Sequence, residues 1–198
     1  MKDTLLPTPS ANDFAQGKAP MAQVRYGRLT ISLHWLTLLV LAGVYAAIEL
    51  RIMFPKGSGI REAFKTWHFM LGLLILLIML VRLAARLMRS APPITPPPPI
   101  WQYRASRAMH AALYGLLLAM PIAGWAMLSA SGAPIPFFGL ELPPLVAPDK
   151  QLAAQIKAIH TQAGTIGYWL IGMHAAAALY HHHILKDDTL RRILPGRH

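Results

Sequence analysis

The chain contains no cysteine. Disulfides, thiolate metal sites and iron–sulfur clusters are thereby excluded. Charge is scarce as well. Only 14% of the 198 residues are Asp, Glu, Lys or Arg, against about a quarter in an ordinary soluble domain. Acidic residues are scarcer still, 8 against 19 basic ones. The formal charge of +11 resembles a nucleic-acid signal. No basic helix interleaves with an aromatic face, so no nucleic-acid partner is expected. Basic loops also set membrane orientation, and that reading suits a chain that is 55% hydrophobic.

Apolar runs near twenty residues mark membrane spans. They predict four helices: Leu29 to Leu50, Thr66 to Arg86, Ala108 to Leu128 and Ile159 to Leu185. Pro121 should kink or locally rewire the third. Residues 1–24 are polar, carry Pro7, Pro9 and Pro20, and lack a signal-peptide pattern. They read as a flexible tail before a single domain over residues 25–195. The run Ala91 to Pro99 holds six prolines and reads as a stiff extended tether. The proline-bearing loop from Ser129 to Lys157 should cover one end of the bundle.

Four spans put both termini on one side. That side carries Lys2, Lys18, Arg25 and Arg28, then Arg82, Arg86, Arg89, Arg104 and Arg107, then Lys186, Arg191, Arg192 and Arg197. The other carries only Arg51, Lys56, Arg61, Lys65, Lys150 and Lys157. Basic residues accumulate on the cytoplasmic side, so both termini are expected there.

Histidine then carries the chemistry. His160 and His174 share the fourth span, fourteen residues apart. That is about 21 Å along a helix and about 40° around it, so one face presents an imidazole near each side of the bilayer. Ionisable or metal-binding groups inside a membrane are costly and usually functional. His68 is the only partner at the depth of His160 near the outer side. Near the cytoplasmic side, depth leaves His34, His110 and His174 to choose from. A shared face for His160 and His174 favours His34 as the fourth member, because His110 follows Arg107 closely and sits shallow. A shallow His110 would bond a propionate or the interface instead. Each histidine alone is more often a hydrogen-bonded packing residue than a ligand. Four at matching depths reverse that. Neutral imidazole suits heme iron, and two imidazoles per iron favour electron transfer over oxygen activation. Without cysteine any heme is non-covalent, hence b-type. Gly72, Gly164 and Gly167 lie near the same stripe and would let a macrocycle or another helix approach closely. The ten methionines read as packing residues.

His181 returns to the face of His174 after seven residues, within the run His181-His182-His183. Ser32 lies two residues before His34 near the same side. A hydroxyl and an imidazole beside a heme can bond a quinone's carbonyls and pass protons, so Ser32 and His181 are candidate quinone contacts. At the outer side, Arg51 and Lys65 are candidates to steer an anion or to contact propionates.

The run Arg25-Tyr26-Gly27-Arg28-Leu29-Thr30-Ile31-Ser32-Leu33-His34-Trp35-Leu36 resembles the start of the bacterial cytochrome b561 family. So does Ile171-Gly172-Met173-His174, continuing through Leu179-Tyr180-His181-His182 to Lys186-Asp187-Asp188-Thr189-Leu190. The resemblance covers about residues 25–195 and is nearest to stand-alone members acting as superoxide oxidases. It implies an all-α membrane protein, a four-transmembrane-helix bundle holding two b-type hemes in the bacterial inner membrane. It implies His34 with His174 on the cytoplasmic-side heme and His68 with His160 on the periplasmic-side heme. It further implies superoxide oxidation at the periplasmic face and ubiquinone reduction at the cytoplasmic face, with Ser32 and His181 in the quinone site.

Two other readings compete. The chain could relay electrons between quinone and a partner redox enzyme. It could instead be a histidine-based metal transporter, against which stands the near absence of acidic residues from the spans.

Overall fold

The computed structural model describes residues 25–88 and 91–195. The expected N-terminal tail lies outside them. Helix α1 spans Arg28–Leu50 and runs into a 3₁₀ turn, Arg51–Met53. Helix α2 is Gly59–Met88, α3 is Ile100–Ser131 and α4 is Lys150–Tyr180, followed by a π-helical turn, His181–Leu185. A short hairpin precedes α4, with β1 (Pro136–Phe137) antiparallel to β2 (Leu140–Glu141) and Phe137 opposite Leu140.

Even the shortest helix, 23 residues, is about 35 Å long and exceeds a hydrocarbon core of about 30 Å. Three helices, α1, α2 and α3, are long and apolar enough to cross a membrane. The fourth, α4, has the length, but Lys150, Gln151, Gln155, Lys157, His160 and Gln162 dilute its first half. Leu39, Leu77, Leu87 and Trp169 point outward and exposed, as a lipid-facing surface requires.

Helices begin earlier than hydropathy predicts, because their first turns are polar. The start of α4 is Lys150 rather than Ile159: the Asp149 carboxylate accepts from Gln151 N at 2.8 Å and Leu152 N at 3.0 Å. That N-cap satisfies two orphan amides. His160 therefore lies ten residues into its helix, about 15 Å deep, rather than at its mouth. Arg82 and Arg86 likewise stand on the last turns of α2, not in a loop. Helix α3 passes through Pro121 without a break in assignment, and Gly132 closes it in the left-handed region at φ 69°.

Packing joins α1 to α2, α2 to α3 and α3 to α4. Val40, Ile75, Ile78 and Met79 form the core between α1 and α2. Leu73, Leu128 and Ile135 form a second cluster beneath the outer loop, with Trp125, Phe137 and Leu142 against it. The fourth side of the square stays open, since α1 and α4 do not pack backbone to backbone.

The outer loop does cover its end of the bundle. Trp125 Nε1 donates to Pro143 O at 2.9 Å and Leu145 N donates to Ser129 Oγ at 3.0 Å. The proline linker is more than a tether. Thr95 N donates to Asp188 Oδ1 at 3.0 Å, Asp188 N donates to Thr95 O at 3.3 Å, and Arg192 Nη1 donates to Pro92 O at 2.5 Å. Trp35 Nε1 of α1 donates to Ile193 O at 2.8 Å. The C-terminal segment thus ties the linker and α1 together at one end.

Candidate functional site

The histidines meet around α4, which contributes one ring to each pair. His34 on α1 faces His174 on α4, with ring centroids 6.4 Å apart and planes 58° from parallel. His68 on α2 faces His160 on α4 at 6.3 Å and 77°. An imidazole nitrogen sits about 2 Å from a bound transition metal, with the ring centre about 1 Å behind it, so two imidazoles on opposite sides of one metal have centroids about 6 Å apart. Both pairs fit that spacing. His110 on α3 is also close to His174, but at 5.4 Å the rings are nearer than two imidazoles on opposite sides of one metal would stand.

Bonding at the far nitrogens differs between the pairs. His68 Nδ1 donates to Val44 O at 2.9 Å, which fixes the tautomer and leaves Nε2 for a ligand. His110 Nδ1 is used by Ser106 O at 2.7 Å. Nδ1 of His160 is buried with no protein partner among the described residues, so the chain does not itself close this pair's bonding. Gly124 lies against His160: an added Cβ would stand 3.4 Å from its ring. An added Cβ at Gly72, one turn beyond His68, would meet nothing within 4 Å. At the His68–His160 pair these are the features of a slot for a flat group gripped from both faces, and the imidazoles of either pair fit b-type heme.

Between the two pairs, Tyr45 crosses from α1 to α4 and donates to Gly164 O at 3.0 Å. Its hydroxyl occupies the place a side chain at Gly167 would need. Gly164 and Gly167 therefore serve helix approach through Tyr45, the packing role, rather than leaving an empty stripe.

At the end of the bundle that holds both described chain ends, Ser32 is exposed on α1 and no hydrogen bond joins it to His181 among the described residues. His181 opens the π-helical turn, a distortion frequent at functional sites. Its Nδ1 donates to Asp187 Oδ2 at 2.5 Å, and Asp187 Oδ1 accepts from Thr189 N at 2.9 Å. Burial pushes the Asp187 carboxyl up, but the bonds from His181 and Thr189 outweigh it and hold it below the usual carboxylate range. Nδ1 of His182 is buried and unpartnered among the described residues. Asp187 was not singled out from sequence; an acidic pair just past the histidine run was the available signal.

At the outer end, Lys65 is paired with Glu62 at 2.5 Å on an exposed turn, a surface pair that leaves little charge for steering. Arg51 Nε donates to Ile48 O at 3.1 Å and Arg61 Nη1 ties Arg51 O to Phe54 O. No group of three or more His, Asp or Glu side chains converges as a metal cage among the described residues, so the His181-His182-His183 run does not form one.

A bundle of long apolar helices that brings two pairs of imidazoles face to face is the architecture of a membrane cytochrome b. The family model for prokaryotic cytochrome b561 matches residues 25–196. The chain belongs to that family, whose members are membrane electron-transfer proteins carrying b-type heme. It is 44% identical to cytochrome b561 homolog 1 of Escherichia coli K12 over 173 residues, 87% of this chain and 98% of that one. It is 37% identical to the probable superoxide oxidase CybB of Yersinia pestis over 173 residues, 87% and 97% of the two chains. Cytochrome b561 homolog 2 of E. coli K12 is 32% identical over 183 residues, 86% and 91%.

Proposed function

We propose that this chain oxidises superoxide at the periplasmic face of the bacterial inner membrane and delivers the electrons to ubiquinone at the cytoplasmic face. The observation that carries the reading is the pair of matched imidazole spacings, 6.3 and 6.4 Å, at two depths along one helix. His68 and His160 would hold the outer heme, and His34 and His174 the inner one. All four helices cross the membrane, and both termini are cytoplasmic. Heme bound there would supply one-electron redox chemistry. Two superoxide anions give up one electron each and leave as dioxygen. The quinone gains two electrons and two protons.

The chain's own residues do the rest. Arg51 biases the outer site toward anions, while Glu62 neutralises Lys65 and weakens its share. At the inner end His181 and Ser32 bond the quinone oxygens. Asp187 takes His181 Nδ1–H, so Nε2 is the nitrogen available to the quinone, and the carboxylate supports the imidazolium as a proton passes.

The name of the Yersinia relative supports the donor, and the basic cytoplasmic rim supports the orientation. The test is a purified chain in detergent with superoxide and a soluble ubiquinone. A Soret band, two hemes per chain and quinol formed at half the rate of superoxide loss are expected. A chain without a Soret band would sink the cytochrome assignment. A heme-loaded chain that ignores superoxide, yet exchanges electrons with quinol, would favour the relay reading.

A further inference from the structure

Arg82 is a cation in the wrong place for a membrane helix. It interrupts Ile78-Met79-Leu80-Val81 and Leu83 on α2 and is half-buried toward α1. Nη1 donates to Thr37 Oγ1 at 2.9 Å, and Nη2 lies 3.3 Å from His34 Nδ1. Tyr114 covers it, with the ring centroid 5.8 Å from the guanidinium carbon. The groups around it are the imidazoles of His34, His110 and His174, the Arg86 guanidinium and Tyr114, whose hydroxyl also acts on Arg82; none is a carboxylate. No carboxylate lies within ion-pair distance of Arg82 among the described residues. Asp187 and Asp188 at the same end are committed to His181, and to Thr95 and Arg192.

A guanidinium does not deprotonate in proteins, so it cannot escape desolvation by losing its charge. Partly buried and unpaired, it needs an anion. A second conflict points the same way. A ring that gives Nε2 to a metal keeps its proton on Nδ1, so His34 Nδ1 becomes a donor facing a donor. The guanidinium then turns its free edge to an acceptor. Its planar fork matches a carboxylate in bidentate geometry.

We infer that Arg82 binds a propionate carboxylate of the heme held between His34 and His174. This rests on the heme assignment for that pair. It makes Arg82 a cofactor-binding residue that also raises that heme's potential, because a fixed cation favours the iron with one charge fewer. The alternative is that Arg82 only ties α1 to α2 through Thr37.

The experiment is redox titration of the purified holoprotein, with heme counted per chain. Reduced-minus-oxidised infrared spectra of protein grown with ¹³C-propionate heme supply the carboxylate signal. R82Q is expected to lower the midpoint potential of one heme, leave the other in place, and shift one set of labelled carboxylate bands. Selective loss of one heme in R82Q would have the same meaning. R82K keeps the charge and should hold the potential near the wild type, even if R82Q fails to accumulate. T37V removes the structural bond and should move neither potential nor bands. Unchanged potentials and bands in R82Q, or a T37V variant that reproduces its shift, would overturn the inference. Heme content unchanged in H34A would instead sink the underlying assignment of the His34–His174 heme.

Discussion

At Gly167 one methyl group decides whether α1 can reach α4. An added Cβ would collide with the Tyr45 hydroxyl and stand 3.2 Å from Leu116 Cδ2. Gly167→Ala is expected to cost about 1–3 kcal/mol by overpacking. Tyr45→Phe removes the colliding oxygen, so the double variant should recover part of that loss. Thermal melts of the four proteins in detergent measure the coupling; additive losses would place the clash elsewhere. The histidines invite a count rather than a melt. His160→Ala should lower heme from two per chain to one, and His68→Ala should remove the same one. Two variants that deplete different hemes would break the pairing. Asp187 brings a pH dependence. Its carboxyl titrates lower in the folded protein than in the unfolded chain. The stability it contributes is therefore present above the usual carboxylate range and is lost as pH falls through the lowered value. Asp187→Asn should abolish that acid-side loss. It should also slow quinol formation about tenfold or more with both hemes retained. An unchanged quinone rate would reduce the pair to a structural clasp.

Helix α4 is the element on which both candidate heme sites depend. Its N-cap fixes where it starts, and its start fixes the depth of His160. Asp149→Ala should cost about 1 kcal/mol and fray the turns before His160, seen as faster amide exchange there and not at His174. Equal exchange at both ends would show that the loop, not the cap, holds the helix. Helix existence and the fourteen-residue spacing were legible in the sequence, because hydropathy and the 1.5 Å rise are local properties. The true start of α4 was harder, since Lys150, Gln151 and Gln155 look like loop by composition. Asp149 after Pro148 was the readable sign. The choice between His34 and His110 was only half legible. Both lie at the right depth, and only the rotation of α3 against α4 brings His110 to 5.4 Å and leaves His34 at 6.4 Å.

The whole bundle is closed by a buried clasp where its C-terminal segment meets the proline linker and the start of α1. Arg192 is 4% exposed and joins Asp188, Pro92 and the Tyr26 ring, while Asp188 holds Thr95. Arg192→Met should cost about 3 kcal/mol or more, since it strands a buried carboxylate, Asp188, and leaves the half-buried Pro92 carbonyl without its donor. The expected sign is a lower melting temperature together with weaker retention of the inner heme, whose two helices the clasp spans. A melt within error of the wild type would mean the linker holds itself. Composition, the four histidines and the fourteen-residue spacing of two of them came from the sequence alone, because burial in lipid and helix rise need no knowledge of neighbours. The tertiary structure decided which rings face one another, that Arg82 has no acid beside it, and that the linker is bonded across a separation of 93 residues. Those outcomes depend on how each helix turns about its own axis, which side-chain packing sets and hydropathy does not encode.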